Sequence, residues 1–75
     1  MPRLPVVTGR VVLKALERGG FVVVRIKGSH HFMRHPGTSK GVPVPIHGNR
    51  DIPAGLLKAI LAEAGLSVDE FIALL

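Results

Sequence analysis

From Thr8 onward, apolar positions at Val12, Leu13 and Leu16 recur every three or four residues, the spacing of one buried helix face. Thr8 suits the N-cap of that helix, because its hydroxyl can accept one of the N–H groups left open in the first turn. Gly19-Gly20 ends it. Phe21 to Lys27 (FVVVRIK) is β-branched and predicts a strand, and His30 to His35 predicts a second that stops at Pro36-Gly37. Gly41 to Ile46 alternates Val42, Val44 and Ile46 with Pro43 and Pro45, a third strand. Two prolines remove two ladder donors, which places that strand at an edge or beside a bulge. Helical spacing returns at Leu57, Ile60, Leu61 and Ala64 and runs to Gly65, with Asp51 as the predicted cap. Ser67 and Glu70 have the spacing of a capping box, which opens a short final helix that buries Phe71. The order is α-β-β-β-α with a helical tail, an α+β fold with a three-stranded antiparallel sheet. No repeat or low-complexity segment interrupts it, and no internal linker occurs beyond the loop from Pro36 to Lys40, so residues 1–75 read as one domain.

The link between the first two strands decides which side chains share a face. Gly28-Ser29 is a two-residue link with glycine first, which suits a type II′ turn because that position needs a positive φ. Lys27 and His30 then face each other, with Cβ atoms roughly 5 Å apart. Counting outward pairs Ile26 with His31, Arg25 with Phe32, Val24 with Met33 and Val23 with Arg34. The face with Val22, Val24, Ile26 and Met33 is expected to meet the core. The other carries Arg25, Lys27, His30, Phe32 and Arg34, basic with an aromatic among the charges, as expected of an RNA-contacting surface. With Val42, Val44 and Ile46 turned inward, Pro43, Pro45 and His47 join His30 on the open face. Two histidines and a lysine then lie near arginines that can grip phosphates. One extra residue in the turn would swap the faces.

Charge sharpens that picture through its placement. The net charge is +5, but all ten Lys and Arg residues, from Arg3 to Lys58, fall in residues 1–58. Only Glu17 and Asp51 oppose them there, while the last 17 residues carry Glu63, Asp69 and Glu70. A basic body with an acidic tail favours a polyanion partner, although a solvated surface has the same composition. A chain this short buries only about 60% of its unfolded surface, so its core is small. The absence of cysteine removes disulfides and thiolate metal sites as staples and fits a reducing compartment. No stretch reaches the roughly 18 apolar residues of a membrane span. The start, with Arg3, Pro5 and Thr8-Gly9, does not read as a signal peptide. A soluble cytoplasmic domain is expected.

Each candidate also has an ordinary structural reading. A histidine beside a turn, such as His30, is commonly solvated, and His47 before Gly48-Asn49 reads as a loop residue. His31 and His35 fall at the margins of the core side, where packing or capping is expected. Phe32 reads as a half-buried packing residue, and Arg25, Lys27 and Arg34 are a solvated face unless a ligand is present. Four histidines raise the question of metal, but His30 and His31 point to opposite faces, and no HExxH or Cys/His spacing occurs. Neither a metal nor a cofactor is expected. Ser29 has no orienting acid with which to form a Ser-His-Asp arrangement.

The run Lys27-Gly28-Ser29-His30-His31-Phe32, with His35-Pro36, Pro45-Ile46-His47-Gly48-Asn49 and Ile52-Pro53-Ala54-Gly55, resembles the HicA family. These YcfA-like proteins are mRNA-interferase toxins of type II toxin–antitoxin systems. Gly20-Phe21, Ile60 and Ala64-Gly65 fit the same pattern, so the resemblance spans about residues 8–70. It implies a fold like a double-stranded-RNA-binding domain, in agreement with the order of elements above. It also implies that His30 is the catalytic residue, that messenger RNA is the substrate and that a HicB-like antitoxin is the partner.

A mechanism consistent with these residues has neutral His30 take the proton of the RNA 2′-hydroxyl while Lys27 and nearby arginines stabilise phosphate charge. Imidazole, whose ordinary pKa lies near 6.5, suits that task at neutral pH. Lys27 and His47 are the candidates for catalytic support, His47 as acid for the leaving oxygen. Arg25, Lys27, Phe32 and Arg34 are the candidates for RNA contact, to single-stranded or structured RNA. Two other classes compete: a noncatalytic RNA-binding module on the same basic face, and an interaction protein whose basic face receives an acidic partner. His30 discriminates, since binding needs lysine and arginine there but not imidazole.

Overall fold

The Thr8 hydroxyl accepts a hydrogen bond from the Val11 N–H at 3.3 Å and starts the first helix where its position predicts. In the computed structural model, which describes residues 3–75, that helix is α1 (Gly9–Arg18). Strands β1 (Val22–Lys27), β2 (His30–Arg34) and β3 (Gly41–Pro45) follow, then helices α2 (Ala54–Ala64) and α3 (Val68–Ala73). Gly65 ends α2 in the left-handed region, as helix C-termini favour. Ser67 and Glu70 form the capping box of α3. The Arg18 guanidinium donates to the Leu74 carbonyl oxygen at 2.9 Å, tying the tail back to α1.

The strands form one antiparallel sheet in the order β1-β2-β3. Both helices α1 and α2 pack over β3. Their buried residues Val12, Leu16, Leu57, Ile60 and Leu61 meet Met33, Val42 and Val44 of the sheet, and Phe71 of α3 completes the core. The opposite sheet face is left open. Pro43 and Pro45 lie on an edge strand, where the missing donors cost nothing. Among the described residues, no helix is long and apolar enough to cross a membrane.

Near the turn the sheet follows the predicted register: Lys27 opposite His30, Ile26 opposite His31 and Arg25 opposite Phe32. Beyond Arg25 it departs. A bulge between Val23 and Arg25 leaves Val24 as the extra residue, so Met33 pairs with Val23 and Arg34 with Val22. An extra residue reverses the alternation beyond it. Val23 therefore packs against the core, while Val22 is 47% and Val24 59% exposed. Ile26 shares the covered face with His31 and Val44 but is 61% exposed, because β1 is the edge away from the helices. Of the four residues expected to form a core face, only Met33 is buried.

Three boundaries also move. Phe21 precedes β1 and is buried, its ring edge-on to that of His35 at 5.1 Å. His35 lies beyond β2, and Ile46 beyond β3, although Ile46 still packs against the core. Asp51 does not cap α2; the N-cap is Pro53, with no side-chain hydrogen bond. Proline disfavours the helical region for the residue before it, which keeps Ile52 out of the helix. Instead Asp51 bridges to Thr8, and the Ile52 N–H donates to the Val7 carbonyl oxygen at 2.8 Å.

Candidate functional site

His30 opens β2, directly after a turn whose first residue, Gly28, has φ +59. Ser29 does not share the positive φ, the pattern of the type II′ turn that glycine in first place predicts. His30 stands opposite Lys27 on one side and Pro45 on the other. The Ile46 N–H donates to the Ser29 carbonyl oxygen at 2.8 Å, which brings the end of β3 alongside the turn. Gly9 presses on the same segment from α1: a Cβ there would overlap the Pro45 carbonyl oxygen and lie 3.1 Å from the Ile46 Cα. Only glycine allows that approach.

This packing opens a cleft of about 390 Å³ beside the turn. Pro43, Pro45, Ile52, Pro53 and Leu56 supply apolar walls, and His30, His47, Arg50 and Asp51 supply the polar groups. His30 and His47, far apart in sequence, thus share one cavity, as the face assignment of β3 predicts. Next to it, the Phe32 ring lies 6.3 Å from that of His30, tilted by 33°. The Arg25 guanidinium sits 5.8 Å from the centre of the Phe32 ring, a cation–π contact. Arginine, aromatic ring and imidazole therefore follow one another across the open face.

The remaining candidates lie further out. Lys27 faces His30 across the hairpin but does not line the cleft, and Arg34 sits at the other end of β2, between Val22 and Gly41. His35 is structural: its Nδ1 accepts from the N–H groups of Gly37 at 3.0 Å and Thr38 at 3.2 Å. His31 turns to the covered face, where its Nδ1 is buried without a hydrogen-bond partner. Among the described residues, no three His, Cys, Asp or Glu side chains gather in a set that could hold a metal. A second groove, of about 410 Å³, is lined by Arg10, Lys14 and Arg18 along one side of α1.

Sequence reasoning missed Arg50, Ile52 and Leu56 as site residues and misassigned Asp51. Leu56 had a readable signal. It is apolar and sits four residues before Ile60, at the margin of the Leu57, Ile60, Leu61, Ala64 stripe, where a side chain can line a groove beside the helix. Arg50 and Asp51 had none, since the turn that aims them into the cleft depends on packing between distant segments.

A family model described as the HicA toxin of bacterial toxin–antitoxin systems matches residues 9–66 of the 75-residue chain. No curated protein matches it.

Proposed function

The chain belongs to the HicA toxin family, and from that premise we propose that it is an mRNA interferase, a metal-independent endoribonuclease with His30 as its catalytic residue. The observation that carries the reading is the meeting of His30 and His47 in one cleft beside a basic, aromatic-bearing face. His30 takes the proton of the ribose 2′-hydroxyl, and the freed oxygen attacks the adjacent phosphorus. A 2′,3′-cyclic phosphate forms as the bond from phosphorus to the 5′ oxygen breaks. His47 supplies the proton for the departing oxygen. Arg25, Lys27 and Arg34 hold phosphates, and Phe32, with the Arg25 guanidinium 5.8 Å from its ring centre, offers a flat surface to a base. One positioned general base contributes about 10²–10⁴-fold, so the enzyme is a modest nuclease. It acts in the cytoplasm on messenger RNA as a single toxin domain, and a HicB-like antitoxin holds it in check.

The test is RNA cleavage by purified His30→Ala. His30 is exposed, so its removal costs the core little, and circular dichroism should be unchanged while cleavage falls by about 10² or more. Cleavage at the parent's rate would remove His30 from the chemistry. RNA affinity with no cleavage by the parent would leave the noncatalytic RNA-binding module.

A further inference from the structure

We propose that the cleft beside His30 is a subsite for a single unpaired guanine of the substrate RNA, read by Asp51. The proposal rests on the reading of His30 as the general base. A guanine held in the cleft would keep its neighbouring phosphodiester at the His30 end of the cavity.

Shape and lining point to a flat, partly apolar guest. The volume, about 390 Å³, lies at the small end of ligand sites, which span roughly 300–1,000 Å³. Pro43, Pro45, Pro53, Ile52 and Leu56 form walls suited to the faces of a ring. Leu56 is 42% exposed, at the edge of the α2 core stripe, and lines this cavity. Enzymes that hold an extruded base combine apolar packing of its faces with hydrogen bonds to its edge.

Asp51 identifies the base. Residues 1–58 carry two acids among ten basic residues. Glu17, on α1, lies 3.8 Å from Lys14. The Asp51 side chain makes no hydrogen bond or ion pair among the described residues, and it caps no helix. A free carboxylate repels phosphate and is out of place along a phosphate track, but it accepts N–H groups through two oxygens. Guanine presents two such donors side by side, N1–H and the N2 amino group. Adenine and cytosine offer one amino group on that edge, and uracil one imide N–H. Arg50 beside Asp51 adds a cation for the adjoining phosphate.

Binding can be measured without catalysis. His30→Ala protein is titrated with the four nucleoside 3′-monophosphates while backbone amide shifts are followed by NMR. Guanosine 3′-monophosphate should bind about tenfold more tightly than the others, the size of discrimination a bidentate base contact gives. The largest shifts should fall at Ile52 and Leu56. Asp51→Asn should remove the preference, and Leu56→Trp, which fills the cleft from an exposed position, should weaken binding of all four. Equal affinities, or shifts elsewhere than the cleft, would overturn the subsite whether or not His30 cuts RNA. In parent protein, mapped cleavage sites should carry guanine at one neighbour of the cut, and Asp51→Asn should flatten that bias. Cuts without guanine bias would overturn the proposal and leave His30 as the base. A parent that binds guanosine 3′-monophosphate in the cleft but cuts no RNA would support the subsite and sink the nuclease reading.

Discussion

The Ile46 N–H donates to the carbonyl oxygen of Ser29 at 2.8 Å, so the end of β3 is fastened to the turn that carries His30. Through this bond Pro45 lies opposite His30, and His47 enters the same cleft. If His47 protonates the leaving oxygen, His47→Ala should lower kcat by about 10² with little change in KM, as loss of a general acid does. An unchanged kcat would make His47 an ordinary loop residue.

Product ends test the nucleophile. A 2′-hydroxyl attack leaves a 2′,3′-cyclic phosphate, or the monophosphate from its hydrolysis, on one fragment and a 5′-hydroxyl on the other. DNA, and RNA with 2′-O-methyl at the scissile nucleotide, should resist cleavage, and excess EDTA should leave the rate unchanged. Mass spectrometry reads the ends. Fragments with 5′-phosphate and 3′-hydroxyl would make water the nucleophile and discard the mechanism even if His30 were essential.

Salt dependence locates the RNA. Neutralising one phosphate-binding cation should reduce the slope of log affinity against log salt by about 0.7 for a single strand. A triple neutralisation of Arg25, Lys27 and Arg34 should therefore flatten it by about 2. The parent's slope in that variant would move the RNA to the groove of Arg10, Lys14 and Arg18 on α1.

Gly9 is a packing constraint on the site itself. A Cβ at that position would collide with the Pro45 carbonyl, and backbone has less freedom to yield than a side-chain end. Gly9→Ala should cost about 1–3 kcal/mol, as overpacking does. Thermal unfolding measures the loss, and a parent-like Tm would show that α1 can slide off β3.

The α3 capping box makes a small contribution that depends on pH. The Ser67 N–H donates to the Glu70 carboxylate, and the Glu70 N–H donates to the Ser67 hydroxyl. The bond from the Ser67 backbone, with that from its side chain, lowers the Glu70 pKa below its ordinary 4.5. A lowered folded pKa means that the contribution is complete above the unfolded value and is lost as pH falls through the folded one. Glu70→Gln should reduce the acid-side slope of Tm below about pH 4.5 and leave it unchanged near neutrality. An acid slope equal to the parent's would remove Glu70 from the linkage.

Local rules carried most of the secondary structure. Thr8, Gly28, Gly65 and the Ser67–Glu70 pair each act within a turn of their own backbone, so their roles were legible without knowing what they pack against. The turn also set the register nearest to it, and hence Arg25, Lys27, His30 and Phe32 on one face. That side of the candidate site follows from the period of a strand and the length of one turn.

What the sequence alone determined ends where distant segments meet. The bulge at Val24 has no marker such as glycine, and it moved Val23 inward and Val22 outward. Ile26 has the right parity for burial, but the helices pack over β3 and leave β1 at the open edge. Asp51 followed a local capping rule that Pro53 overrode by keeping Ile52 extended, and the chain spent those residues on a bridge to the segment before α1. The cleft belongs to this second class. Its walls come from β2, β3, the loop after β3 and the start of α2, and their meeting depends on Gly9 against Pro45 and on Ile46 bound to Ser29. Periodicity reports which way a side chain points from its own strand or helix; only the packing of those elements decides what it points at.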